Sequence, residues 1–393
     1  MTKWPLMHNN ITEDDADALI AFLKQKPLPI LTNHKKVREF EEAWSKWLGV
    51  KYSVFVNSGS SANIITLAIV AKLKGYDKPE ILVSPLNWVS DISAIFHAGL
   101  VPTFCDINLK TLAMDEDEVV KKISPQTSAV LLTHILGYNG LTEKIHFTCM
   151  DRDVMLIEDC CESHGATYKH MKVGSIGEIS NFSFYYAHHM TSIEGGMICT
   201  NDPQIYQLAR VYRSHGMLRE CDDKEYVEDT AKPYADLNKD FIFMANAYNM
   251  RSTELNAVLA LNQLPRLDEN NLIRKNNLNL FLNNLDSKKY YTDFNRGGNS
   301  NYAFTLLLRD KDFEFRDKIE TALRENGIEF RRGMSGGGNQ LRQPYMPKYY
   351  GISEQFLNYP NVEHVHHFGW YIGNYPELAS VDIFKLTELL NKI

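Results

Sequence analysis

The stretch "YSVFVNSGSSANIITLAIVAKLKG" (residues 52–75) decides the fold. Its first part, "YSVFVN" (52–57), is a short apolar run of the kind that forms a buried strand. Its second part, "SSANIITLAIVAKLKG" (60–75), is long enough and apolar enough to be a helix packed on that strand. Between them lies "NSGSSAN" (57–63), a serine-rich turn with one glycine. Backbone N–H groups at a helix start, together with serine hydroxyls, suit a single phosphate. An ordinary N-cap with a turn glycine has the same composition, so the stretch alone leaves both readings open.

The strand–helix alternation continues outward. "EILVSP" (80–85) precedes the helical "WVSDISAIFHAG" (88–99), and "VPTFCDI", "DEDEVVKKI", "SAVLLTHIL" and "VMLIED" follow in turn to residue 159. Short Val/Ile/Leu-rich strands separated by amphipathic helices imply a mostly parallel sheet covered on both faces. Ligands in such sheets bind at the carboxyl ends of the strands. From Ser252 a long helical stretch runs toward residue 285, interrupted at Pro265. After the turn-rich "DFNRGGNSN" (293–301) come a strand, a helix, a second strand ("IEFRRG") and a final helix from residue 380. The expected organisation is an α/β large domain over 1–251, then the linking helix and a smaller C-terminal α+β domain over 252–393. The glycine-rich "SGGGN" (335–339) reads as the most flexible loop.

Bulk composition narrows the function classes. The chain has 393 residues, 44% hydrophobic and 23% charged, with a net charge of −7. It can bury a large core, and it lacks the clustered positive charge of a nucleic-acid-binding surface. The N-terminus shows no basic-then-apolar leader pattern, and no uncharged apolar run is long enough to span a bilayer, so a cytoplasmic protein with no membrane partner is expected. None of the six cysteines forms a C-x-x-C pair, which argues against an iron–sulfur cluster. No metal is expected; the "HVHHF" stretch (364–368) reads as a histidine-rich strand at a site rim, with no carboxylate to complete a ligand set.

Several stretches carry chemistry. Asp159 ends the apolar "VMLIED", where a carboxylate is costly unless it has a partner; a capping aspartate is the simpler alternative. Trp88 follows "EILVSPLN" and suits stacking on a flat ring, or a place in the core. "SFYYAHHMTSIEGGM" (183–197) places His188 and His189 where the chain leaves a strand. "NAYNMRSTELNA" (246–257) holds Asn249 before the long helix, where helix capping would also explain it.

Taken in order, "SGSSAN", "W", "IEDCCESHGA", "GSIGEISNFSF", "EGGM", "RSHG" and "YNMRSTELNA" resemble the sugar aminotransferase branch of the fold type I pyridoxal-phosphate enzymes, which act on nucleotide-linked 4-keto sugars. The resemblance implies an aspartate aminotransferase-like large domain. The family pattern runs S-F, three residues, lysine, then E-G-G. Here Ser183–Phe184 and Glu194–Gly195–Gly196 keep the frame, and the lysine slot holds His188. That departure is similar to a small subgroup, the sugar 3-dehydratases. A lysine in the slot anchors the cofactor aldehyde covalently and moves protons. Histidine has no primary amine, so it cannot anchor; with an ordinary pKa near ~6.5 it still moves protons. Lys169 and Lys172 lie nearby in sequence but outside the slot.

The resemblance implies pyridoxal 5'-phosphate and pyridoxamine 5'-phosphate as cofactor forms. It puts Gly59, Ser60 and Ser183 on the phosphate, Trp88 on the ring face, Asp159 on the ring nitrogen, and Glu162 where aminotransferases often carry glutamine. It implies a homodimer in which Asn249 reaches the phosphate of the neighbouring active site. His215, Arg219, Arg331 and Arg332 are the candidate contacts to a GDP-linked 4-keto-6-deoxy sugar, since arginines suit diphosphate recognition. L-glutamate is the implied amino donor. The alternatives are an aminotransferase that bypasses the lysine and yields a 4-amino sugar, the same dehydration on a heptose or another nucleotide-linked sugar, or a binding protein without turnover.

Overall fold

Strands β1 (Tyr52–Val56), β2 (Glu80–Val83), β3 (Val101–Phe104), β4 (Thr127–Thr133) and β5 (Met155–Asp159) arise from the apolar runs anticipated in the sequence. A two-stranded hairpin, β6 (Thr167–Tyr168) and β7 (Met171–Lys172), precedes β8 (Ile179–Ser183) and β9 (Gly196–Thr200). This is a computed structural model that describes residues 4–350 and 355–393, so the first three residues of the N-terminal stretch read above lie outside it. The main sheet has seven strands in the order β1-β9-β8-β5-β4-β2-β3. The pairs β2–β3, β2–β4, β4–β5 and β5–β8 are parallel, and β9 runs antiparallel to both its neighbours. The mostly parallel α/β sheet is therefore as expected, and the strand reversal lies next to β8, whose end carries the histidine turn.

The smaller sheet combines β10 (Ala303–Leu307), β11 (Phe330–Arg332) and β12 (Gly369–Gly373) in the order β10-β12-β11, all antiparallel. Its central strand was not anticipated. "HVHHF" is not a strand but the end of the helix Pro360–Phe368. Pro360 opens that helix, and Val362, Val365 and Phe368 recur at helical spacing on its buried face. The long stretch after Ser252 divides as expected at Pro265: a helix Glu254–Gln263, a short 3-10 turn Leu264–Arg266, and a helix Leu267–Asn284. The "SGGGN" loop is not loose. Ser335 and Asn339 are buried, and a Cβ at Gly336, where φ is +59°, would sit 2.0 Å from the Asn87 carbonyl oxygen. The glycines there satisfy a packing constraint.

Three buried carboxylates fix the frame beneath the site. Glu254 accepts from the backbone N–H groups of His34, Lys36 and Val37, each within 2.9 Å, and so caps the helix Lys35–Leu48, which has no side-chain cap of its own. Glu41 on that helix accepts from Phe55 N at 2.8 Å and from Arg213 at 2.6 Å, and Arg213 also donates to the Phe55 carbonyl at 3.0 Å. This pair pins β1, whose carboxyl end leads into "NSGSSAN". Glu158 accepts the N–H groups of Gly174, Ile176 and Gly177, which holds the loop before β8. Among the described residues no helix is long and apolar enough to cross a membrane.

Arg213 is 1% exposed. Replacing it by alanine leaves the Glu41 charge buried without its partner, and the expected loss of unfolding free energy is about 3–5 kcal/mol. Denaturant titration of the variant against the parent chain measures it.

Candidate active site

A cavity of about 410 Å³ opens at the carboxyl ends of the parallel strands, with the small sheet on its far side. The turn after β1 forms one wall. Ser58 caps the helix Gly59–Lys74 by accepting from Ser61 N at 3.0 Å, which leaves the first N–H groups of the helix facing the cavity beside the Ser58, Ser60 and Ser183 hydroxyls. A Cβ on Gly59 would lie 2.7 Å from the Ser183 Cβ and 3.0 Å from the Cys161 Sγ. The turn therefore needs glycine for close approach, and the same holds for Gly196, where a Cβ would sit 2.2 Å from the Ser58 carbonyl oxygen. The resulting concavity of N–H and hydroxyl donors suits one phosphate group.

Trp88 stands at the start of the helix Val89–His97 at the cavity wall and is 48% exposed, so it is not a core tryptophan. Asp159 is buried at the end of β5, with Oδ1 accepting from Cys161 N at 2.9 Å and Oδ2 from Asn63 Nδ2 at 3.0 Å. Glu162 is buried where the chain leaves β5. It accepts from Leu136 N at 2.8 Å and from Ser335 Oγ at 2.9 Å, which ties the "SGGGN" loop to the large sheet. Burial pushes its carboxyl up to about 7, against the opposing effect of those two hydrogen bonds.

His188 enters from the turn after β8. Its backbone N–H donates to the Tyr185 carbonyl at 3.1 Å, and its own carbonyl accepts from Asn10 Nδ2 at 2.6 Å. His188 Nδ1 lies 3.1 Å from the Ser183 carbonyl oxygen. A carbonyl only accepts, so Nδ1 carries the proton and Nε2 is left with its lone pair. Burial lowers the imidazole's affinity for a second proton, partly offset by the Ser183 carbonyl and Asp159. His188 is thus a neutral base at the cavity wall. His189 faces away: its Nε2 is 2.8 Å from the Ser300 carbonyl oxygen, and its ring stacks on that of His164 at 5.0 Å.

The structure brings together Gly59, Ser60, Trp88, Asp159, Glu162, Ser183, His188 and Arg331 around this cavity. It does not bring the others. Arg331 and Arg332 are neighbours on β11 and point to opposite faces; Arg332 pairs with Glu320 at 3.2 Å on the outer side. Arg219 lies over the Phe241 ring at 5.2 Å, and His215 and Asn249 are exposed on the segment that follows β9. Tyr185, Tyr302 and Tyr371, with Ser335 and Asp91, also line the cavity and were not anticipated. Asp91 stands in the first turn of its helix, where an acid usually complements the dipole, so its type and place carry no special signal. Among the described residues no lysine lines the cavity. Lys169 pairs with Glu143, and Lys172 donates to the Trp47 carbonyl at 2.9 Å.

A sequence model of the DegT/DnrJ/EryC1/StrS aminotransferase family matches residues 9–390. The GDP-4-keto-6-deoxy-D-mannose 3-dehydratase of Escherichia coli O55:H7 is 28% identical over 399 residues, covering 100% of each chain. A solved structure of the E. coli GDP-4-keto-6-deoxy-D-mannose-3-dehydratase with bound hydrated PLP superposes with a TM-score of 0.88 at 27% identity, over 99% of this chain and 100% of that one. A structure of GDP-4-keto-6-deoxymannose-3-dehydratase with a trapped PLP-glutamate geminal diamine gives a TM-score of 0.87 at 27% identity, over 98% and 100%.

The Glu162 carboxyl sets a pH dependence. Its pKa is raised from the ordinary 4.5 to about 7 in the folded chain, so the native state holds a proton that the unfolded state releases. Native stability from this group is full below about pH 4.5 and is lost as pH rises through 7, by on the order of 3 kcal/mol. Glu162→Gln removes that loss; unfolding free energies of parent and variant at pH 5 and pH 8 measure the difference.

Proposed function

The chain belongs to the DegT/DnrJ/EryC1/StrS aminotransferase family, and from that premise we propose that it is a pyridoxal-phosphate-dependent 3-dehydratase of a GDP-linked 4-keto-6-deoxy sugar. The observation that carries this reading is His188 at the cavity wall together with a lining that, among the described residues, contains no lysine. The residues present fit the cofactor: a glycine-and-serine cup for the phosphate, an indole face at Trp88, and a buried carboxylate at Asp159 that forms no ion pair among the described residues. When bound in its pyridoxamine form, the cofactor supplies an amine for the C4 ketone of the sugar and an electron sink for loss of the C3 hydroxyl.

The chain's own residues supply the rest. Asp159 holds a proton on the ring nitrogen. His188 Nε2, with its lone pair fixed toward the cavity, takes the proton from the cofactor's C4′ carbon and delivers it to the departing C3 hydroxyl. Arg331 enters from β11 and faces the anionic part of the substrate. C3 loses a hydroxyl and gains a hydrogen, a two-electron reduction. L-glutamate balances it by becoming 2-oxoglutarate as the amine nitrogen leaves as ammonia. The trapped glutamate adduct in the related structure supports that donor. The exposed His215, Arg219 and Asn249 suit a homodimer in which this segment faces the neighbouring cavity, with residues 1–251 and 252–393 as the two units of each protomer.

The test is product analysis with pyridoxal phosphate, L-glutamate and GDP-4-keto-6-deoxymannose. Ammonia and a 3-deoxy-4-keto sugar are expected in equal amounts; a 4-amino sugar without ammonia would instead establish an aminotransferase. His188→Asn is expected to lower turnover by roughly 10²–10⁴-fold while retaining the cofactor. Borohydride treatment of the loaded parent chain is expected to add no cofactor mass to the polypeptide.

A further inference from the structure

Asp91 and Asp159 lie side by side in the cavity wall, and among the described residues neither forms an ion pair with a lysine or arginine. Asp91 is fully buried at the start of the helix Val89–His97, and Asp159 is buried at the end of β5. One amide nitrogen, Asn63 Nδ2, serves both: it donates to Asp159 Oδ2 at 3.0 Å and still more closely to Asp91 Oδ1. The other Asp91 oxygen accepts from Thr133 Oγ1 at 2.8 Å, whose own lone pair accepts from Asn87 Nδ2 at 2.9 Å. Asn63 in turn is held by Asn181 Nδ2 at 2.8 Å, and Asn181 by Thr66 Oγ1 at 2.8 Å. This buried chain of neutral donors fixes the two carboxyl groups against each other and supplies no positive charge. Two carboxylates sharing one site without a cation do not both ionise.

Resting on the cofactor reading above, we propose that Asp91 and Asp159 form an acid dyad that holds one proton, resident on Asp91, and that Asp91 is thereby a positioning residue that aims the Asp159 anion at the pyridine ring nitrogen. Burial and the facing Asp159 charge both push the Asp91 carboxyl well above the usual carboxylate range, in accord with the geometry. The dyad then carries a single negative charge, which matches a single protonated ring nitrogen. Two ionised carboxylates would leave an uncompensated charge in the floor. The titratable groups facing the dyad are the Cys161 thiol, which burial holds un-ionised, and, around Asp159, Glu162 and His188.

The experiment reads the proton directly by infrared difference spectroscopy on the full-length chain. A Glu162→Gln background removes the neighbouring carboxyl that titrates near 7. Without cofactor, and again after pyridoxamine phosphate is added, a protonated-carboxyl band is expected at pH 7. Asp91→Asn is expected to abolish that band. Thr133→Val removes a hydrogen bond that favours the ionised form, so it is expected to move the band's midpoint to higher pH. The Thr133 arm serves even where Asp91→Asn does not fold. Absence of the band at pH 7, its persistence in Asp91→Asn, or an unmoved midpoint in Thr133→Val overturns the dyad. A band present in a chain that fails to bind pyridoxamine phosphate overturns the cofactor reading and leaves the dyad standing.

Discussion

The 3.1 Å contact from His188 Nδ1 to the Ser183 carbonyl governs what this site can do. It fixes the tautomer, and with it which nitrogen faces the cavity as a base. The contact exists because β8 ends at Ser183 and the chain turns at once, with the His188 N–H closing on the Tyr185 carbonyl and the Ser192 N–H returning to Phe184. That turn is held from behind. Thr191 N donates to Gln263, whose amide donates back to the Thr191 carbonyl, and His189 is fastened to Ser300. The second histidine is therefore an anchor for the first. Gly196 lets β9 return close against the Ser58–Gly59 turn, and Gly195 packs on Ser192 and Phe55, so the His188 turn and the serine-rich turn are brought together by one strand reversal.

The floor of the cavity shows why a parallel sheet suits this chemistry. Strand ends put polar side chains at the edge of a large apolar core, where hydrogen bonds are strong and unpaired charge is expensive. Asn63, Asn87, Thr133 and Asn181 are buried, and each has its bonds completed within the network. Neutral amides and hydroxyls can orient carboxyl groups without cancelling them. The charge that completes the site is then left to whatever binds there.

Much of this was legible in the sequence. Strands β1 to β5 and the turn at 57–63 are local patterns, in which apolar run, glycine and serine cap agree with the final fold. Asp159 was legible because a carboxylate ending an apolar strand demands a partner, and His188 because a frame of Ser183–Phe184 and Glu194–Gly195–Gly196 surrounds it. What was not legible depends on tertiary contact. The alternation in "HVHHF" mimics a strand, but its histidines serve a helix end: His364 Nε2 is 2.8 Å from the Leu308 carbonyl oxygen, and His366 Nδ1 accepts from Asn339 N at 3.2 Å. Tyr302 and Ser335 reach the cavity from distant segments, and nothing local marks them. Arg331 and Arg332, by contrast, could have been separated beforehand, since neighbours on a strand face opposite ways.

On the reading proposed above, a cofactor not tethered by an imine is retained by non-covalent contacts and by the enclosing wall, and Glu162 and Ser335 fasten part of that wall. Glu162 belongs to the large sheet, and Ser335 to the loop after β11; their 2.9 Å contact closes one side of the cavity. A lysine site can tolerate a looser wall, because the covalent bond survives excursions of the wall. The contact is robust to the carboxyl's own titration near 7: the serine hydroxyl donates to a carboxylate and accepts from a carboxylic acid, while the Leu136 N–H keeps an oxygen acceptor in either state. Proton traffic can therefore change the charge of the cavity without releasing its wall, which is the separation that a non-covalent cofactor site requires.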